Sequence, residues 1–370
     1  MGQPRPTTSE PACTSYSIHP VNSRQLSLAI IFVLSAHSPA MSLRVPLQPH
    51  PNDLFAPVAR SARHVGHRPI KEQRSVSTPL RVAFQGELGA FGEEAIQQLW
   101  GGDAEPVPTR EFFEVTAALV NGDVDRAVLP IENTIVGSIQ ASHDAIDATA
   151  EIFAIAETVV AVHHCLLGTP GGTFDQAQHV FSHAVALAQC GKFFRTHPRL
   201  TIHSVNDTAG AAQDVSNLAD PLFTAVASRN SARRYNLEVL VPDIEDRPDN
   251  QTRFIAFARA PQSLPIGTPA RTMILLTTDD VPGALLNALA PLARHGVNVR
   301  RIETRPTGEP WSYRFFVEFD HQVGDTEAEL VVRDVAGLST AVRLVGTYPR
   351  WGAGRRNSIG WKSGDFPIAD

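Results

Sequence analysis

From Leu80 onward, short apolar runs of strand length alternate with amphipathic stretches of helix length. That alternation constrains the fold more than any single motif. Arg81–Phe84, Arg126–Leu129, Leu200–Val205 and Phe223–Ala227 read as strands. Gly89–Leu99, Phe112–Val120, Ala184–Phe194 and a short stretch ending at Tyr235 read as helices. Asp207 is placed to N-cap a helix running through Val215, because its carboxylate accepts bonds from N–H groups that have no partner in the first turn. Strands alternating with helices in this way predict parallel sheets covered on both faces. The segment from Ile152 to Tyr235 reads as a second lobe inserted into the first, with the chain returning near Pro242 to Arg253. In such sheets a ligand sits at the carboxyl ends of the strands, here in a cleft between two lobes.

The segment Pro261–Pro269 is a linker by composition. Beyond it the pattern becomes strand (Thr272–Thr277), helix (Gly283–Ala293), two strands (Val297–Thr304 and Trp311–Phe319), helix (Glu327–Val335) and strand (Ala341–Tyr348). That is βαββαβ, a ferredoxin-like unit. The tail from Trp351 reads as frayed.

The first 79 residues differ from the rest. They hold eight basic side chains against three acidic ones (Glu10, Asp53, Glu72), a balance of +5, so a net charge of −6 leaves −11 on the body. Residues 1–79 read as a disordered extension, with a targeting segment or an early-assigned start (Met41 being another candidate) as the alternatives. The apolar run Leu26–Leu34 is too short to span a membrane. An acidic body argues against nucleic acid as a partner, since phosphate counterions are replaced by a basic face. Three cysteines (Cys13, Cys165, Cys190) lack metal-ligand spacing and make no disulfide framework, which points to a reducing, cytoplasmic compartment. His163 and His164 are adjacent on what reads as a strand, so they face opposite ways and share no metal.

Polar residues gather where these strands end. Gln85-Gly86 opens a strand–turn–helix junction whose spacing is neither a Walker loop nor a dinucleotide fingerprint. Glu132, Asn133, Thr134 and Ser138 follow the strand that ends at Leu129, where a capping cluster is the blander reading. His183 and Cys190 stand seven apart on a helical stretch, and a free cysteine among apolar neighbours is more often inert core than nucleophile. Asp243, Glu245 and Asp246 read as a solvated loop run. Thr252, Arg253 and Phe254 place a hydroxyl, a cation and a ring side by side, although alternation turns Arg253 away from Thr252.

Taken in order, Ala83-Phe-Gln-Gly86, Leu129 to Thr134, Ser182-His183, Ala188-Gln-Cys190, Asp207 to Ala212 and Thr252-Arg253-Phe254 resemble prephenate dehydratase over about residues 80–258. Pro282-Gly283-Ala284-Leu285, Asn298 and Glu303-Thr-Arg305-Pro resemble the ACT regulatory domain over 271–350. The resemblance implies an α/β fold: a two-lobed catalytic domain of the periplasmic-binding-protein type II kind at 80–260, a linker at 261–269, a ferredoxin-like ACT domain at 270–350 and a tail at 351–370. It implies decarboxylative dehydration of prephenate to phenylpyruvate, restrained by L-phenylalanine. Arogenate dehydratase and a non-catalytic amino-acid sensor are the alternatives. The elimination is redox-neutral and has no acyl group to hold, so no cofactor, metal or covalent intermediate is implied. Thr252 and Arg253 become the catalytic candidates, Thr252 as a hydrogen-bond donor to the departing hydroxide and Arg253 as a carboxylate clamp. Gln85, Gly86, Glu132, Asn133, Thr134, Ser138, His183, Gln189, Thr208, Asn250 and Phe254 become the substrate-binding set. Pro282, Gly283, Ala284, Leu285, Asn298, Glu303 and Arg305 become the phenylalanine site. The extension lacks the long helical pattern of a fused chorismate mutase, so a monofunctional enzyme is expected, as a homodimer or homotetramer.

Overall fold

The computed structural model describes residues 79–324 and 326–352, so the expectations for the N-terminal extension and for the tail beyond 352 lie outside the described residues. The first lobe contains β1 (Leu80–Gln85), α1 (Phe91–Trp100), β2 (Ala104–Thr109), α2 (Phe112–Asn121), β3 (Arg126–Asn133), the two-residue β4 (Gly137–Ser138), α3 (Gln140–Ala148) and β5 (Phe153–Ala161). The second lobe holds β6 (Cys165–Gly168), β7 (His179–His183), α4 (Ala184–Gln189), α5 (Gly191–Thr196), β8 (Thr201–Val205), α6 (Thr208–Leu218), β9 (Phe223–Ala227), α7 (Arg229–Arg234) and β10 (Glu238–Val241). The chain then returns to the first lobe as β11 (Gln251–Ala258). The C-terminal unit follows as β12 (Pro269–Thr277), α8 (Ala284–Arg294), β13 (Asn298–Pro306), β14 (Tyr313–Gln322), α9 (Thr326–Ala336) and β15 (Ala341–Pro349).

The first sheet runs β2-β1-β3-β11-β5 and the second β10-β6-β9-β7-β8. Both are mixed, which corrects the expectation of parallel sheets: β11 is antiparallel to β3 and β5, and β6 is antiparallel to β9. The segment assigned from sequence to the inserted lobe also divides differently. Phe153–Ala161 is the edge strand of the first sheet, and the crossing comes just after it. The single helix expected over Ala184–Phe194 is two, with Cys190 ending α4 and Gly191 opening α5. Asp207 does cap α6, accepting from the Gly210 N–H at 2.6 Å.

The C-terminal sheet has the order β13-β14-β12-β15, all antiparallel pairs where neighbours meet, with α8 and α9 packed on one face. Period-two alternation divides β12 and β14 between two surroundings. Ile274, Leu276, Val317 and Phe319 pack in the core beneath the two helices. Met273, Leu275, Phe316, Val345 and Tyr348 instead join the core of the first lobe, packing in one cluster with Leu129, Ile131, Ile146, Ile255 and Phe257. The closest approach is at Gly346, where an added Cβ would lie 2.3 Å from the Ala154 carbonyl oxygen on β5. The two catalytic lobes also touch tightly at Gly89, whose φ is +96° and where an added Cβ would lie 3.0 Å from Ser231 Cα, so the position suits glycine.

Candidate active site

β11 organises the site because its two faces serve different surroundings. Phe254, Ala256 and Ala258 pack with Val82, Phe84 and Ile96, the α1 side of the sheet. Ile255 and Phe257 pack on the other side, in the core shared with the C-terminal unit. Thr252 therefore belongs with the first face and Arg253 with the second.

On the first face a chain of neutral groups runs between the lobes. The Asn133 carboxamide oxygen accepts from the backbone N–H groups of Ile135 and Val136 at 2.9 and 3.0 Å. Those donors fix which way the amide points. Asn133 Nδ2 consequently donates to Asn250 Oδ1 (2.7 Å) and to Thr252 Oγ1 (2.9 Å). With its oxygen committed, Asn250 turns Nδ2 to Gln189 Oε1 at 3.0 Å. His164 Nε2 reaches the same Gln189 oxygen at 2.9 Å and must be the donor, which makes Nδ1 a bare acceptor, buried without a partner among the described residues. Burial holds the His164 pKa below its ordinary value, against the opposing pull of Gln189 and Glu245. The consequence at Thr252 is specific. Its oxygen accepts, its proton has no acceptor among the described residues, and the side chain is only 7% exposed. It is a hydroxyl arranged to donate.

The remaining expected residues distribute around this chain. Thr134 donates to the Asp249 carbonyl and accepts from the Gln251 N–H, joining the ends of β3 and β11. Gln85 Nε2 donates to the Arg110 carbonyl and Gly86, at φ +106°, turns the chain out of β1. His183 caps α4, its Nδ1 accepting from the Val185 N–H at 3.3 Å, and Thr208 opens α6. Phe254 is packing. The acidic run is solvated only in part: Asp243 is exposed, but the Glu245 side chain is buried, accepting from the His164 N–H and pairing with His163, while Asp246 accepts from the Lys192 N–H. His163 and His164 lie between β5 and β6 rather than on a strand. His163, Asp243 and Glu245 bring ligand atoms within 4.8 Å of one another, but Asp243 is already held by Arg229 at 2.9 Å through both oxygens. Cys190 is buried, and burial pushes its thiol pKa up.

The second face is ionic, and it departs from expectation. Arg253 donates to Glu132 Oε1 (2.7 Å), Glu157 Oε2 (3.0 Å) and Glu318 Oε1 (2.8 Å), so its guanidinium is spent on carboxylates of the protein and is not aimed at the Thr252 side. The clamp expected of Arg253 does not fit this geometry, and Glu132 is turned the same way. Arg271 bridges Glu157 and Asp320, and Arg301 reaches Glu132, Glu303 and Glu318. The Tyr348 hydroxyl donates to Glu318 Oε2 at 3.3 Å. Arg253, Arg271, Arg300, Arg301 and Arg350 thus face Glu132, Glu157, Glu303, Glu318 and Asp320, five charges of each sign. Burial pushes the Glu318 carboxyl up, yet Arg253, Arg301 and Arg271 together bring it below its ordinary value. Ser138 also belongs here, accepting from Arg301 Nη2. Sequence reasoning missed Glu157 and Glu318. Each is the lone charged residue in a mostly apolar segment (Phe153–Ala161; Phe315–Phe319), and that was the available signal.

In the C-terminal unit, Glu303 accepts from Arg301 and Arg305 makes a two-pronged pair with Asp144 of α3 at 2.7 Å. Gly283 N-caps α8 at φ +85° beside the exposed Pro282, with Ala284 and Leu285 in the first turn. Asn298 starts β13 opposite Asp320, at the far end of the sheet from the Gly283 turn, so one copy of the chain does not bring these residues together.

The comparisons agree with this architecture. Residues 82–262 match the family model "Prephenate dehydratase" and 272–337 match "ACT domain". Arogenate dehydratase/prephenate dehydratase 2, chloroplastic, of Arabidopsis thaliana is 35% identical over 292 residues, covering 76% of this chain and 75% of that protein. The crystal structure of prephenate dehydratase in complex with L-Phe from Arthrobacter aurescens is 32% identical, with a TM-score of 0.68 over 73% of this chain and 90% of that one. A structure described as GqqA, a novel type of quorum quenching acylases, is also 32% identical, with a TM-score of 0.68 over 75% of this chain and 100% of that one. A two-lobed domain of this sequence, closed behind by an ACT domain, belongs to the prephenate/arogenate dehydratase family of hydro-lyases.

Proposed function

We propose that the chain converts prephenate to phenylpyruvate and that L-phenylalanine restrains it through the ACT domain. The observation that carries the chemistry is the Thr252 hydroxyl, fixed as a donor by Asn133 at 2.9 Å. In the reaction the bond from the ring to its carboxylate breaks, and that electron pair moves through the ring as aromaticity forms. Carbon dioxide is released, the ring C–O bond breaks in turn, and the hydroxide takes a proton from solvent to become water. Negative charge grows on the departing oxygen, and a preorganised donor there stabilises the transition state more than the ground state. Threonine is too weak an acid to hand over its proton, so its part is the hydrogen bond.

Arogenate differs only in carrying an amine where prephenate has a keto group, and the Arabidopsis relative is described by both activities. The test is turnover of each substrate by purified protein, with and without phenylalanine. Faster turnover of prephenate, suppressed by phenylalanine, is the expected outcome. Preference for arogenate would move the assignment to that substrate, and turnover of neither would remove it. Among the described residues neither thiol suits acyl transfer, which needs an accessible, activated one: Cys165 and Cys190 are buried with raised pKa values. Two free cysteines among the described residues fit a reducing, cytoplasmic setting, and no helix there is long and apolar enough to cross a membrane. The separation of the Gly283 turn from Asn298 supports an effector site completed by a second copy. The edge strand β13, with Trp311 83% and Tyr313 43% exposed beside it, supports such pairing.

A further inference from the structure

We propose that Glu318, a residue of the C-terminal domain, positions the catalytic strand: acting through Arg253, it holds β11 where Thr252 meets Asn133. The inference rests on the dehydratase reading of Thr252.

Three observations lead to it. Thr252 pairs with Asn133 across β3 and β11, and the next pair along the same ladder is Arg253 with Glu132. The two residues that form the donor on one face are therefore backed, one step away, by the two that form the ion pair on the other. Second, the ladder is irregular at this point. The register shifts between Arg253 and Phe254, with Pro130 and Glu132 facing consecutive residues of β11, so Ile131 is the extra residue of a β-bulge. A bulge loosens the local backbone ladder and re-aims side chains, which leaves position there to be set by other contacts. Third, beside Glu132 and Glu157 of the catalytic domain, Arg253 is held by a carboxylate from outside it. Glu318 is fully buried on β14 and accepts from Arg253 (2.8 Å), Tyr348 (3.3 Å) and Arg301 (3.5 Å). Arg301 also grips Glu132 at 3.1 Å, so both strands of the Thr252–Asn133 pair are tied from behind to one carboxylate cluster.

The test uses the full chain and whichever of the two substrates it turns over. Glu318→Gln keeps the shape and removes the charge. A displacement of about 1 Å at a reacting group costs on the order of a hundredfold, so kcat should fall by about tenfold to a hundredfold while KM stays within about twofold. In a Thr252→Ala background, Glu318→Gln should cost little further kcat, because both changes remove the same hydrogen bond. Arg314→Ala, which breaks the Arg314–Asp147 pair across the same domain contact without touching β11, should leave kcat alone. Unchanged kcat in a folded Glu318→Gln protein, a full additive loss in the Thr252→Ala background, or an equal loss in Arg314→Ala would each overturn the proposal. Should Glu318→Gln fail to fold, Tyr348→Phe decides: it removes one donor to Glu318, and a fall in kcat at constant KM supports the proposal while an unchanged kcat overturns it. Wild-type kcat in Thr252→Ala would instead defeat the dehydratase reading of Thr252, a result separable from all of these.

Discussion

The two faces of β11 solve opposite problems with adjacent residues. On the cleft face, Asn133, Asn250, Gln189 and His164 form a neutral chain whose order is dictated by two backbone N–H groups. Neutral groups desolvate at modest cost and orient one proton without imposing a field of their own. On the rear face, Arg253, Glu157 and Glu318 are buried charges. Such a cluster adds little net stability over an apolar one, but it penalises any arrangement that leaves a member unpaired. The contrast teaches that direction is set by dipoles and location by charges, within one strand.

The sharpest way to break this comparison is at Arg253. Arg253→Met leaves Glu157 and Glu318 buried with fewer counter-charges, and unfolding by denaturant should show a loss of about 3–5 kcal/mol. A loss below about 1 kcal/mol would mean the rear face behaves as a solvated surface. Thr252→Ala tests the other face. It should lower kcat by about 10²–10³-fold, roughly 2.7–4 kcal/mol, with the denaturation midpoint nearly unmoved. A stability loss as large as that of Arg253→Met would erase the distinction between the faces. Gly346→Ala probes the rear contact without touching a charge. Its Cβ would meet the Ala154 carbonyl, so a loss of about 1–3 kcal/mol is expected from melting curves.

The smallest effect is in pH. His143 on α3 donates Nδ1–H to the Ile139 carbonyl and accepts from Arg301 at Nε2 (2.8 Å). Burial first, and Arg301 second, bring its pKa from 6.5 down to about 4. Between those values the unfolded chain binds more protons than the folded one, so stability falls as pH drops from 6.5 towards 4. Glu318 and Asp320, whose folded pKa values are depressed from 4.5 and 3.8, add a second loss as pH falls below those values. The melting temperature should therefore decline in two stages on acidification, and His143→Gln should make the first, to which His164 also contributes, shallower while leaving the second unchanged.

The ferredoxin-like unit is legible from sequence because β12 and β14 carry their own apolar runs and every strand finds its partners within one contiguous segment. The same reasoning misplaces Phe153–Ala161, because an apolar strand carries no mark of which sheet it joins. Its neighbour β11 arrives only after the whole second lobe has been built. Period-two alternation does separate Thr252 from Arg253. It cannot name what Arg253 meets, since Glu318 lies 65 residues further on. The Thr252 donor is half legible: the hydroxyl stands in the sequence, while its orientation depends on Asn133, 119 residues earlier, and on two N–H groups in a turn.

The approach of Gly346 to Ala154 bears on inheritance. A gene crossover in the segment after β11 would exchange the C-terminal domain cleanly on paper, because nothing regular is interrupted there. The protein would not accept the exchange so readily. An incoming domain would need a glycine opposite β5, a carboxylate opposite Arg253 and a tyrosine beneath it, all supplied by β14 and β15 to strands encoded far earlier in the gene. Descent should therefore pass these two domains on together, and chimeras between distant relatives should recover function only when residues of β5 and β11 travel with the domain they touch.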